Sequence, residues 1–427
     1  MSPEQDEASS TTASQPPPGT QFPPNAPYAP NTPFGQNTMP PPAPPLPPDP
    51  ARLRQQRRLI TAAGAAALVI VVGTVLAVVL AGEDEPGKPG KPTAPAGPPA
   101  WSLKAGQWLT SGKGLRYEGA MTVGGKPVQA RLRVTPAGSA SGTLTAGALK
   151  ADVVAVDGVT YIKAGTAFWR DYAGETRHPD YYAGRWSKAP ASVPGFDVPD
   201  VLGPASIART LTTTPAKTPT ENVNGVPAYK VRTPGAEYLV AKAAPHQLVS
   251  VRAVGPNAPW FAAAPVVAPA TLFAELRPRV AALGGAADPS LRFRPGTLTF
   301  SNCDQNTNGC TVIVPATLTS PEGAAPAGAR AALRASITSR GAPLGSCWAS
   351  GPVPADRALE LRCTVTSRLW RRWVRAALDN PGSYPYAATA HVIGEAVGAD
   401  GVQKLLDVVD RERRAIAKPA PKPSATP

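Results

Sequence analysis

Four cysteines are the residues of this chain best suited to chemistry, and all fall in its last third: Cys303, Cys310, Cys347 and Cys363. Their spacing is not CxxC and no histidine stands near them, so they do not read as a zinc site. Outside the cytoplasm an even count reads as disulfides. The pairs that bracket hairpin-like segments are Cys303–Cys310 and Cys347–Cys363. Both loops are short, and each bond should contribute about 2–3 kcal/mol. The three histidines, His178, His246 and His391, form no HExxH and no pair with metal-ligand spacing. Gly124-Gly125-Lys126 is followed by Pro127, where a phosphate loop needs Ser or Thr. There is no GxSxG and no GxGxxG. A Ser–His–Asp triad assembled from distant residues stays open, because triads are defined by geometry. The expectation is a protein without catalysis, cofactor or metal.

Two other constellations stand out. The stretch AFWRDYAGETRHPDYYAGRW holds Phe168, Trp169, Tyr172, Tyr181, Tyr182 and Trp186, dense for a chain that is 6% aromatic. Aromatic side chains bury large area while tolerating a wet polar end. The segment reads either as a lid or wall over an apolar cavity, or as one layer of an ordinary core. The second constellation is Leu369-Trp370-Arg371-Arg372-Trp373-Val374-Arg375. Two tryptophans three apart share a helix face, with arginines interleaved. Trp370, Arg371, Arg372 and Trp373 would suit an anionic membrane surface. The other reading is a short crossover helix with its tryptophans in the core and its arginines in water.

The element that must place these groups is the apolar run Leu59 to Gly82, LITAAGAAALVIVVGTVLAVVLAG, which has no charged residue. As a helix it would span about 36 Å, enough to cross a hydrocarbon core of about 30 Å. Arg52, Arg54, Arg57 and Arg58 precede it, and Glu83, Asp84 and Glu85 follow. Basic residues stay on the cytoplasmic side, so the N-terminus is expected inside and the C-terminal bulk outside. The run is too long, and lies too far in, for a cleaved signal peptide with an apolar core of about 7–15 residues. It reads as an uncleaved signal anchor. The four arginines before the run are offset by Glu4, Asp6, Glu7 and Asp49, so the net charge of +14 lies wholly beyond it. A basic ectodomain suits anionic headgroups or acidic wall polymers as neighbours. The other reading of the excess arginine is a solubilising device. No nucleic-acid motif is present.

The 427 residues include 54 Pro and 39 Gly. Residues 1–58 form a Pro-rich cytoplasmic tail whose composition predicts disorder and polyproline II. After the span, residues 83–100 (EDEPGKPGKPTAPAGPPA) read as a spacer. Residues 101–255 read as an antiparallel β domain. Val128, Ala130, Leu132 and Val134 alternate with polar neighbours, and Asp157-Gly158 and Asn224-Gly225 are hairpin turns. Residues 256–289 read as a broken helical connector, with Trp260–Ala264 and Ala270–Leu283 helical in composition and Pro265, Pro269 and Pro278 interrupting. Residues 290–417 read as an immunoglobulin-like β-sandwich bearing the disulfides, closed by a helix from Asp400 to Ala417 with an apolar stripe of Val402, Leu405, Leu406 and Val409. Residues 418–427 read as a disordered tail.

The order VDGVTYIKAGTAFWRDY, GRWSKAP, VNGVPAYKVRTPGAEYLVA and APHQLVSVRAVG resembles the LppX/LprG group of actinobacterial lipoproteins, themselves similar in shape to the LolA/LolB carriers. That resemblance covers about 150 residues. It implies a half-open antiparallel sheet, a half-barrel with helices over one face, enclosing a cavity for acyl chains, with the aromatic segment lining or lidding it. The chain departs from the group in having a membrane helix in place of the lipobox cysteine, and in its extra C-terminal domain. The leading expectation is therefore a membrane-anchored, extracytoplasmic protein that binds a lipid or other apolar ligand without catalysis. The alternative is an envelope interaction or structural protein contacting wall polymers or protein partners, and the third is a hydrolase.

Overall fold

The computed structural model describes residues 97–417 apart from Gln305. The tail 1–58, the span 59–82, most of the spacer and the tail 418–427 lie outside the described residues. No helix among the described residues is long and apolar enough to cross a membrane.

The elements run α1 (Ala100–Ser111), β1 (Leu115–Val123), β2 (Lys126–Val134), β3 (Ala140–Ala146), β4 (Leu149–Val156), β5 (Val159–Ala164), α2 (Thr166–Asp171), β6 (Trp186–Lys188), α3 (Val198–Leu202) and α4 (Pro204–Leu211). There follow β7 (Thr220–Val223), β8 (Val226–Arg232), β9 (Ala236–Ala241), β10 (Leu248–Ala253), β11 (Trp260–Pro265), α5 (Pro269–Ala281), β12 (Ala286–Asp288), β13 (Arg292–Pro295), β14 (Thr299–Ser301) and β15 (Cys310–Ser320). Last come β16 (Arg330–Ser339), β17 (Ala342–Pro352), β18 (Ala358–Val365), α6 (Arg368–Asp379), β19 (Ala387–Val397) and α7 (Gly401–Ala417). The fold is mainly β. One open sheet takes fifteen strands in the order β17-β16-β19-β12-β6-β5-β4-β3-β2-β1-β11-β10-β9-β8-β7, and a second of four is built on β15 with β13, β14 and β18. The long sheet does not close into a barrel.

The expected alternation is present. Val128, Ala130, Leu132 and Val134 are buried along β2. Two-residue turns carry positive φ at both positions, 51° and 74° for Asp157 and Gly158 and 50° and 85° for Asn224 and Gly225, as the strand twist demands. Arg340-Gly341, at 48° and 82°, makes a further such turn that composition does not advertise. One face of the meander is covered by α1 to α4 through Leu109, Phe168, Trp169, Leu202, Ile207 and Leu211. The other face is covered near β4 and β5 by α5 and α7, where Val154, Val156 and Tyr161 meet Leu276, Val280 and Val409. β4 therefore buries both faces, and reads as a near-continuous apolar run rather than an alternating one.

Two expectations are corrected. Trp260–Ala264 is not helical: it is β11, paired with β1 and β10. Pro259 and Pro265 bound it, and Phe261 turns into the core while Trp260 stays partly exposed, a period-2 signal that the run of alanines conceals. The connector helix is not broken: α5 runs thirteen residues with Pro269 at its start and Pro278 inside. The segment after Pro99 opens as helix α1, with Trp101 stacked 4.0 Å from Tyr229. The sandwich exists, but one of its layers is β16, β17 and β19 of the long sheet. These face the four-stranded sheet across a core of Leu333, Ile337, Val312, Val314 and Leu361. α7 leaves that sandwich and packs on α5, with its Glu412 accepting bonds from Thr135 (2.5 Å) and Ser139 (2.7 Å) beside the β2–β3 connection.

Both disulfides form as paired in the sequence reading, with Cα–Cα distances of 4.2 Å for Cys303–Cys310 and 5.6 Å for Cys347–Cys363. The second does not span a hairpin. Cys347 lies on β17 of the long sheet and Cys363 on β18 of the short one, so the bond ties the two layers together.

The β1–β11 pairing rests on Gly119. A Cβ there would stand 1.8 Å from the carbonyl oxygen of Trp260, which only strand separation can relieve. Gly119→Ala is expected to lower stability by about 3 kcal/mol or more, at or beyond the upper end of overpacking costs. Chemical denaturation checks this.

Candidate functional site

A cleft of about 690 Å³ opens where the sheet passes from β5 through β6 to β12. Four segments wall it: the turn and start of β5 (Gly158 to Thr160), the end of α2 and the loop after it (Trp169 to Glu175), the chain leaving β6 (Lys188 to Asp197), and the chain leaving β12 (Asp288 to Arg292). Its lining is largely apolar, from Val159, Trp169, Val193 and Phe196, and includes the charged residues Glu175, Lys188, Asp288 and Arg292. This volume falls within the range of about 300–1,000 Å³ of small-molecule sites.

Each wall is held by local chemistry. Trp169 is fully buried and leans on Tyr182 with ring centroids 5.1 Å apart. The Glu175 backbone N–H donates to the Trp169 carbonyl at 3.0 Å, turning the chain at the end of α2. Asn257 bonds the carbonyls of Ser192 (2.7 Å) and Pro194 (2.8 Å), fixing the third wall from behind. Asp288 accepts from the backbone N–H and hydroxyl of Ser290 at 2.9 and 2.6 Å, and pairs with Lys188 Nζ at 3.2 Å. Arg292 pairs with the buried Glu175 at 2.5 Å. Burial pushes the Glu175 carboxyl up, but the Arg292 guanidinium and the His178 backbone N–H more than offset this, and it titrates below its ordinary range. The indole Nε1 of Trp169 is buried and has no partner. An unpaired buried donor costs about 1–3 kcal/mol.

Of the six aromatics singled out in the sequence, only Trp169 lines the cleft. Phe168 is buried in the core and stacks 5.3 Å from Tyr172, which stays half-buried with Lys126 Nζ 5.3 Å above its ring. Tyr182 is buried, and burial pushes its hydroxyl up to about 12. Trp186 lies on β6 and packs on the opposite face of the sheet, among Leu276 and Val280. Tyr181 is sandwiched between His178 (4.5 Å) and His391 (4.2 Å). Burial, followed by the Arg185 and Arg334 guanidiniums, holds the His391 imidazole below its ordinary value. His246 meets the Ala241 carbonyl at 3.1 Å. Trp370 is fully buried with its Nε1 donating to Asn306 O at 3.0 Å, Trp373 is half-buried, and Arg371 and Arg372 are exposed. Among the described residues no group of three or more His, Cys, Asp or Glu is placed to hold a metal.

Glu175, Lys188, Asp288 and Arg292 were missed as site residues. Two signals lay in motifs quoted for another reason: VDGVTY contributes Gly158, Val159 and Thr160, and GRWSKAP contributes Lys188, Ala189 and Pro190. Asp288 and Arg292 come from a segment about 100 residues further on, and no local pattern marks them.

No protein-family model matches the chain, and no curated protein does. Among solved structures, MucB in complex with MucA(peri) is 11% identical, covers 72% of this chain and 96% of its own, and superposes with a TM-score of 0.21. MucB alone gives 13%, 72%, 95% and 0.22. The MucA/MucB complex of Pseudomonas aeruginosa gives 11%, 72%, 95% and 0.21. Likenesses this slight carry no argument about this chain. The LppX/LprG resemblance rests on the quoted motifs alone.

Glu175 binds its proton less tightly folded than unfolded. The stability it contributes is therefore complete above the ordinary glutamate value of 4.5 and is lost as pH falls through the depressed folded value. Glu175→Gln is expected to cost about 1–3 kcal/mol at neutral pH and to flatten the acid limb of the stability curve. Urea denaturation across pH is the check.

Proposed function

We propose that this chain is a membrane-anchored, extracytoplasmic binding protein that takes one amphipathic small molecule in the cleft between Trp169 and Asp288, without catalysis. The observation that carries this reading is the unpartnered Trp169 Nε1 at the wall of a mostly apolar cleft. An unpartnered donor on a lining residue of an apolar cleft suits a ligand that brings a hydrogen-bond acceptor on an apolar body. The volume fits a single-chain amphiphile better than a lipid with several acyl chains. The charged lining residues support the same reading, since Lys188 and Arg292 suit a polar head. The apolar run at 59–82, with arginines before it and acids after it, supports the anchor and its direction.

The soft resemblance to the LppX/LprG group agrees with a carrier-like ligand class. A protein held by its own helix cannot leave its membrane, so the reading is capture or presentation at one surface rather than shuttling.

The compact unit that holds the described residues 97–417 can be tested apart from the span. Native mass spectrometry of that unit with oleate as the probe is expected to show one bound molecule. Trp169→Phe, which keeps a ring and removes the N–H, should weaken binding about 3- to 10-fold, the worth of one hydrogen bond. Ala173→Trp should fill the cleft and abolish binding. If wild type binds no oleate, and purifies from membranes with no added mass, the reading fails.

A further inference from the structure

Helix α6 presents a row of four cations that nothing else in the fold uses. Arg368, Arg371, Arg372 and Arg375 are spaced i, i+3, i+4, i+7 and all are exposed, so they share one face. The opposite face is fixed: Trp370 and Val374 are 0% and 2% exposed, and the Ser367 hydroxyl caps the helix by accepting from Trp370 N at 3.0 Å. The four guanidiniums line a shallow groove of about 520 Å³, closed at its far end by Asp379 and Asn380. Among the described residues none of the four is in a salt bridge. By contrast the neighbouring strand pairs Arg362 with Glu360.

The placement runs against what stabilises a helix. The arginines occupy its first two turns, where the macrodipole is positive, and α6 has no acidic residue in its first turn and no basic one in its last. Arg368 and Arg372, and Arg371 and Arg375, are like charges at i,i+4, and each pair is repulsive. A local rule broken with no compensating contact marks a functional surface. An anion laid along the row would relieve both the dipole conflict and the repulsion.

From this the structure assigns α6 as a docking track for a linear phosphodiester polymer, one molecule of which spans the four guanidiniums over about 10 Å. The row does not suit insertion into a bilayer. An interfacial helix puts aromatic and aliphatic groups toward the acyl region, whereas here Trp370 faces the core and only Leu369 and Leu378, 50% and 46% exposed, flank the arginines. The track is independent of the cleft.

The test uses the full chain in phosphatidylcholine nanodiscs and fluorescein-labelled poly(glycerol phosphate), read by anisotropy against salt. Each phosphate neutralised on a flexible strand contributes roughly 0.7 to the slope of log K on log salt, so four give about −3. Arg371→Gln should reduce the slope by roughly 0.7. Changing all four to Gln should abolish binding while raising the melting temperature, because the repulsion is gone. Arg362→Gln, on the neighbouring strand, should leave binding unchanged. Retained binding in the quadruple variant overturns the assignment, as does failure of wild type to bind. Tighter capture by phosphatidylglycerol vesicles, or by single-stranded DNA of equal charge, overturns it in favour of a membrane or a nucleic acid.

Discussion

Three residues hold the long sheet together. Trp186, Ser187 and Lys188 of β6 pair antiparallel with β5 on one side, and on the other meet β12 in parallel through Ser187 and Ala287. Every strand from β5 to β7 lies to one side of this bridge, and every strand from β12 to β17 to the other. The same three residues face both layers. Trp186 is buried against α5 and α7, while Lys188 reaches Asp288 in the cleft. The cleft opens beside this bridge, walled by the chain that leaves β6 and the chain that leaves β12.

Much of the β architecture was legible because alternation and two-residue turns are local signals. Val128 to Val134 and Asp157-Gly158 need no knowledge of the rest of the chain. What failed to read was whatever depends on distant partners. Trp260 to Ala264 has the composition of a helix, and becomes a strand only because β1 and β10 offer their edges and Gly119 lets the backbone approach. The cysteine pairing was legible by proximity in sequence, although the Cys347–Cys363 bond turns out to join two layers rather than brace a hairpin. Here the spacing led to the pair for a reason the fold does not use.

The aromatic segment teaches the same lesson for the site. Density alone singled out Phe168 through Trp186 and left both a cavity wall and a core layer open as readings. The fold distributes them between two faces of the sheet, with Phe168 and Tyr182 on one and Trp186 on the other. Large rings are placed chiefly by the area they bury, and only Trp169 has both a buried ring and a polar atom left without a partner. An unmet hydrogen bond separates a wall from a core, and no reading of composition can see it. The charged residues of the cleft were hidden for the opposite reason, since Glu175 and Arg292 are far apart in sequence and meet only in the fold.

The return of α7 to the meander has a consequence for how the chain is made. Thr135 and Glu412 are separated by 277 residues and bonded to each other, and Val154 and Val156 find cover from Val409. A chain emerging from the N-terminus displays that valine face long before the helix that shields it has been synthesised. Sheet pairing at such sequence separation is slow, and exposed apolar strands invite association with other chains. The first two-thirds of the protein thus has to wait, half-clad, for its last few turns, and the time spent waiting is when it most needs a chaperone.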